Sequence, residues 1–193
     1  MKKTIVILFM MLSSMQIIAQ NNGYEKSIEA YGGFGLNEFS KYQLGISLYN
    51  GYRFNDYCHL SLGIGFRYQE ARYMLSNFYS TKIDSREPRY IMPISARAKF
   101  NLTNTSISPF LIAEVGTNID IGYVEYKNIT GFFFEPLFGV DFSTKENTTP
   151  YLAIGVNIAN TKYQYYNISN FNTYSKEVKS KATTLVFHIG FKF

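Results

Sequence analysis

The residues able to do chemistry in this chain are few, and they recur at alternate positions. One face of successive segments carries Glu29, Arg67, Arg97, Lys99, Glu114, Glu135 and Asp141. Arg97 and Glu114 stand on either side of a short turn, Thr103–Ile107, and folding the chain about that turn brings them together. Glu135 on the next segment and Lys99 one layer lower could join the pair. An unpaired charge in a narrow, poorly hydrated interior is costly, so opposite signs there should pair and hydrogen-bond. Such a group could be a structural plug of salt bridges, or a gate or proton relay; the plug is the expectation. Nucleophilic catalysis would need a nucleophile, a base and an orienting acid within hydrogen-bond reach. Only two histidines are present, His59 and His188, at different heights, and no Ser–His–Asp/Glu set gathers with them. No enzyme is expected. Two separated histidines also make a poor metal site, so both read as ordinary interior polar groups, and no metal or cofactor is expected. Cys58 is the only cysteine and cannot form an internal disulfide.

The elements that must position these residues alternate with a period of two. The last eleven residues, Thr183 to Phe193, put Leu185, Phe187, Ile189, Phe191 and Phe193 on one side and Thr184, Val186, His188, Gly190 and Lys192 on the other. That is a strand with two different solvents on its two faces. Seven upstream segments repeat the pattern, at about Lys26–Asn37, Tyr42–Phe54, Tyr57–Tyr73, Arg89–Leu102, Ser108–Tyr123, Gly131–Ser143 and Pro150–Gln164. Pro136 lies on the apolar side of the sixth and should mark a bulge or a local loss of pairing. Asn55-Asp56, Thr103–Ile107 and Thr144–Thr149 are short turns. Ser76–Pro88, Val124–Thr130 and Asn167–Lys181 read as longer polar loops, although the first connection, Asn37–Lys41, breaks the alternation by being short. Aromatic residues gather at strand ends. Tyr68, Tyr90, Tyr123, Phe132 and Tyr163 would form one rim, and Tyr52, Phe54, Phe100, Phe142 and Phe193 the other. Aromatic rings favour a membrane boundary, where one edge is wet and the body is apolar.

Alternation alone does not say which face points inward, and a soluble lipocalin-like barrel would bury the Leu/Phe face. The other face carries Gly33, Gly35, Gly45, Gly51, Gly63, Gly65, Gly116, Gly139, Gly155 and Gly190 along with charges of both signs. Glycine makes a poor solvated strand surface, but it suits a narrow eight-strand lumen in which side chains crowd. The expectation is therefore an all-β fold, an eight-stranded antiparallel up-and-down transmembrane β-barrel with the charged face inside. The chain also has 17 Tyr, 17 Phe and no Trp, and after Ala19 no long apolar run. A hydropathy scan misses membrane strands of this kind.

The N-terminus reads separately. Lys2 and Lys3 precede the apolar run Thr4–Leu12, with Ser13, Ser14 and a small residue at Ala19. This is the pattern of a secretory signal peptide, residues 1–19, cleaved after Ala19. The run is too short to span ~30 Å of hydrocarbon. Removing Lys2 and Lys3 takes the formal charge from +5 to +3, which does not argue for nucleic acid. Residues 20–193 are then the barrel domain.

A signal peptide, eight amphipathic strands, the segment NDYCHLSLGIGFRY and the terminal GFKF together resemble the small outer-membrane β-barrel protein family, of the OmpA-barrel and OmpX type. The resemblance implies location in the bacterial outer membrane and, as assembly partners, the barrel-insertion machinery and periplasmic chaperones. Phe187, Ile189, Phe191 and Phe193 are similar to the C-terminal signal that this machinery reads. It implies no activity.

The external segments carry Arg72, Lys82, Arg86, Lys176, Lys179 and Lys181, with aromatics such as Phe78, Tyr79, Phe171 and Tyr174 interleaved. An ordinary solvated surface is one reading. Contact with lipopolysaccharide phosphates, or with a host or protein partner, is the other. The expected role is envelope structure or surface interaction and adhesion by a monomer with a side-chain-filled lumen, surrounded by outer-membrane lipid. Two alternatives are a narrow pore or accessory part of an envelope transport machine, and a soluble periplasmic binding protein.

Overall fold

A computed structural model describes residues 23–37, 40–76, 82–121, 131–142, 148–169 and 172–193; for 71–76, 82–88, 161–169 and 172–178 it describes the backbone alone. Eight strands follow in order: β1 Tyr24–Gly35, β2 Tyr42–Arg53, β3 Cys58–Ser76, β4 Lys82–Asn101, β5 Ile107–Asp120, β6 Gly131–Phe142, β7 Thr149–Ser169 and β8 Asn172–Lys192. Each pairs antiparallel with its sequence neighbour, and β8 returns to β1 to close the barrel. The closing seam runs from Ser27 opposite Lys192 to Gly35 opposite Thr184. Closure removes every sheet edge along this height, which is what a backbone in hydrocarbon requires.

The period-two pattern settles into the two faces of this wall. Leu44, Ile46, Leu48, Leu62, Phe132, Phe138, Leu152 and Ile189 are all exposed on the outside, and Leu62 keeps 68% of its surface accessible. Glu29, Arg67, Arg97, Lys99, Glu114, Glu135 and Asp141 are all buried within. A lipocalin-like arrangement would put Leu60 and Leu62 inside; instead they are 47% and 68% exposed. The apolar band faces outward, so the barrel is of the transmembrane type. Phe187, Ile189 and Phe191 lie on the outward face of β8, and Phe193, just past its end, is exposed as well.

Rims of aromatic side chains border the band. At the end away from the chain termini, the Tyr68 ring lies 5.9 Å from Tyr42 and 5.7 Å from Tyr90. At the terminus-bearing end Tyr52 meets Phe54 edge-on at 5.1 Å, and Phe100, Phe142 and Phe193 are exposed. Tyr123, the side chain of Tyr163 and residues 1–19 lie outside the described residues.

Two readings of the connections are corrected. Ser76–Pro88 and Asn167–Lys181 are largely strand rather than loop. β3 and β4 stay paired up to Ser76 opposite Lys82, and β7 and β8 up to Ser169 opposite Asn172. These hairpins run past the ends of β2, β5, β6 and β1. A hairpin ladder pairs the backbone groups between its two strands, water takes the outer ones, and the barrel below anchors it. The Tyr- and Thr-containing stretches, TKYQYYNIS in β7 and NTYS in β8, favour the extended form. Polarity marks where the lipid band stops, not where the strand ends. Val124–Thr130 falls outside the described residues.

Of the two outcomes expected at Pro136, the structure has the local loss of pairing. There is no bulge: the register between β6 and β7 is the same at Phe134–Ile158 as at Leu137–Gly155. Pairing lapses only between those two positions, because proline has no N–H to give the ladder. Pro93 does the same in β4, where pairing with β3 lapses between Ile64–Ile94 and Arg67–Ile91.

Candidate functional site in the lumen

The lumen is organised first by space. Six inward-facing glycines sit directly across a ladder from a large side chain: Gly45 from Tyr31, Gly63 from Tyr49, Gly116 from Phe133, Gly139 from Phe110, Gly155 from Leu137 and Gly190 from Tyr151. A Cβ added at any of these glycines would collide with that partner's side chain. Each of these side chains therefore occupies the space over its neighbour's glycine, filling the cross-section without displacing the wall. The rings stand on the polar face, so a reading by hydrophobic alternation passes over them. A large residue in register with a glycine is the signal that finds them.

Charge is then arranged around the rings at mid-height. The ladder places Arg97 of β4 opposite Glu114 of β5, and Glu114 opposite Glu135 of β6. Two carboxylates side by side repel, so each needs its own cation. Arg97 donates from Nε and Nη2 to Glu114 Oε2, at 2.8 and 2.6 Å. Its Nη1 and Nη2 donate to Glu29 of β1, at 2.9 and 2.7 Å. The planar guanidinium thus spans two carboxylates with four charge-assisted bonds, which a point-charge ammonium would not match. The Tyr49 ring lies beneath it at 3.5 Å, and the Tyr49 hydroxyl donates to Glu29 at 3.0 Å or Glu114 at 3.1 Å. Tyr151 also donates to Glu29, at 2.8 Å.

Glu135 does not join Arg97. It accepts from Asn157, lies 3.8 Å from Arg67 Nη2, and has His188 Nε2 3.0 Å from its Oε1. Arg67 is held between the Tyr31 and Phe133 rings, at 5.2 and 5.3 Å, and donates to the Tyr31 hydroxyl. His188 contacts Glu29 through Nδ1 at 3.0 Å and stacks on Tyr31 at 5.0 Å. It is the link between the Glu29 and Glu135 groups, a larger role than that of an ordinary interior polar residue. Sequence spacing could not show this, because Glu29 and His188 lie 159 residues apart and meet only when the barrel closes.

Lys99 belongs to a second cluster nearer the termini. Its Nζ sits 2.7 Å from both oxygens of Asp141 and 3.8 Å over the Phe110 ring. Lys192 adds a second ammonium to Asp141 at 2.7 Å. Beside them Glu25 contacts His59 at 3.2 Å and the half-exposed Arg53 at 3.3 Å. Two small cavities open here, of about 30 and about 110 Å³, both touched by His59 and Lys192. Among the described residues no group of three His, Cys, Asp or Glu is placed to hold a metal ion.

Of the external candidates, Lys179 and Lys181 are exposed on β8. Arg72, Lys82, Arg86 and Lys176 are placed only by backbone register, with Arg72 directly opposite Arg86. Their side chains lie outside the described residues.

No protein-family model and no curated protein sequence matches the chain. Solved structures do. The crystal structure of Neisserial surface protein A aligns with a TM-score of 0.54 at 14% identity, covering 89% of this chain and 96% of that one. That of the outer membrane protein OprG from Pseudomonas aeruginosa aligns with a TM-score of 0.55 at 10% identity, again covering 89% and 96%. At these identities the likeness is one of fold, and the fold is that of the small outer-membrane β-barrels.

Proposed function

We propose that this chain is an integral bacterial outer-membrane barrel that closes its own lumen and acts through its external hairpins, in envelope structure or surface adhesion. In this reading residues 1–19 are a leader removed after Ala19, and 20–193 are the mature domain. The terminus-bearing end faces the periplasm. Outer-membrane lipid and lipopolysaccharide surround the monomer, and periplasmic chaperones and the barrel-insertion machinery, reading Phe187 to Phe193, assemble it.

The observation that carries the reading is the filled cross-section at mid-height. Arg97, Glu29, Glu114, Tyr49, Tyr151 and His188 are joined side chain to side chain from β1, β2, β4, β5, β7 and β8. The cavities beside this layer are small, about 30 and about 110 Å³. A passage would have to break several charge-assisted bonds, which leaves the hairpins as the accessible surface. Planar-bilayer recording on the refolded protein tests the closure. A silent baseline at moderate voltage is expected; steady ohmic conductance would favour the narrow-pore alternative. Charge reversal of Lys176, Lys179 and Lys181 should weaken binding to lipopolysaccharide or to cells, since it inverts the charge on the β8 arm. Unchanged binding would remove β8 as the contact surface.

A further inference from the structure

The mid-height network contains three carboxylates, Glu29, Glu114 and Glu135, each at most 3% exposed. It contains only two guanidiniums, Arg67 and Arg97. Buried charge that is not balanced is costly, so a third positive charge is needed. His188 lies where that charge is missing, with Nδ1 3.0 Å from Glu29 Oε1 and Nε2 3.0 Å from Glu135 Oε1. A neutral imidazole has one bare nitrogen, an acceptor. Either tautomer would leave a bare nitrogen 3.0 Å from a carboxylate oxygen, which can only accept. An imidazole with both protons attracts both oxygens, although the Nε2 contact is an ion contact rather than an aligned hydrogen bond.

We infer that His188 is an imidazolium, the third cation of a charge-neutral plug, and that it latches the closing β1–β8 seam to β6. The groups around it agree with this from every side. β1 presents Glu29 and the stacked Tyr31 ring, whose π face suits a cation. β6 presents Glu135, and β7 presents Asn157 and Tyr151, which bind Glu135 and Glu29 rather than the imidazole. Arg67 of β3 and Arg97 of β4 are spaced from the imidazole by the carboxylates they share with it. The latch makes closure of the last seam conditional on a proton. Loss of that proton would leave the mid-height network net negative beside the closing β1–β8 seam, so alkaline conditions should loosen this seam first.

Nitrogen-15 spectra of the folded protein, labelled at histidine and compared with a His59→Gln sample for assignment, read the state directly. Two protonated ring nitrogens on His188 at neutral pH are expected; one bare nitrogen would overturn the inference. A thermal cycle gives an independent reading, using the midpoint at which the folded barrel loses its fast gel mobility. His188→Gln should lower that midpoint, and so should Glu135→Gln alone. The double variant should lie above the sum of the two losses, because removing the cation and its surplus carboxylate together restores balance. Additive losses would mean that His188 serves only to fill space. Should His188→Gln not fold, the spectra of the native protein still decide the matter.

Discussion

The two charged layers of the lumen use the same residue types to different ends. At mid-height Arg97 is shared between Glu29 and Glu114, and His188 carries the connection on to Glu135 and Arg67. Every member is buried, and four further strands contribute an ionised or ring group to the Glu29–Arg97 pair alone. Nearer the termini, two lysines converge on Asp141, beside a cavity of about 110 Å³ and the half-exposed Arg53. In the first layer a lost charge leaves its buried partners short of a counter-charge. In the second, Asp141 has a spare cation, and water can reach what is left unpaired. The contrast shows that the number of ion pairs does not measure what a layer contributes. What matters is how many partners each group serves and whether solvent can replace them.

Three substitutions separate the layers, from the largest expected effect to the smallest. Glu29→Ala removes the shared acceptor of Arg97, His188, Tyr49 and Tyr151. It should cost about 3–5 kcal/mol, the range for leaving buried charge uncompensated. Urea unfolding of the refolded barrel in detergent, followed by intrinsic tyrosine signal and gel mobility, measures it. Glu114→Ala leaves Arg97 its two bonds to Glu29 and should cost less, about 1.5–3 kcal/mol. An unchanged midpoint would show that the Arg97–Glu114 contact does not hold the barrel together. Lys192→Met leaves Asp141 paired with Lys99 and keeps an apolar stem of similar length. Its cost should be within about 1 kcal/mol, as for a partly hydrated ion pair. A loss as large as that of Glu114→Ala would erase the distinction between the two layers.

Part of this architecture is legible residue by residue. The Arg97–Glu114 pairing follows from one short turn and a period of two, and the structure sets the two residues opposite each other across that hairpin. The partner of Lys99 is less legible. Its acid is Asp141, two strands away, rather than a member of the Arg97 group. The hairpins above the lipid band were legible only as polar segments, because hydrophobic alternation ends where lipid ends while backbone pairing continues to Ser76 and Ser169.

The two faces of the wall are written in the order of the residues. Alternation is a local property: successive side chains of an extended chain point to opposite sides whatever the rest of the molecule does. Glycine and charge on one face, Leu and Phe on the other, then select the interior. Tertiary structure alone decided which groups meet inside. Glu29 reaches His188 only across the closing seam, and Tyr49 lies over Gly63 only because the β2–β3 register puts them level. Register and closure are cooperative properties of all eight strands. A shift of one residue in any ladder would turn its inward groups out toward lipid, so these contacts exist only in the completed barrel.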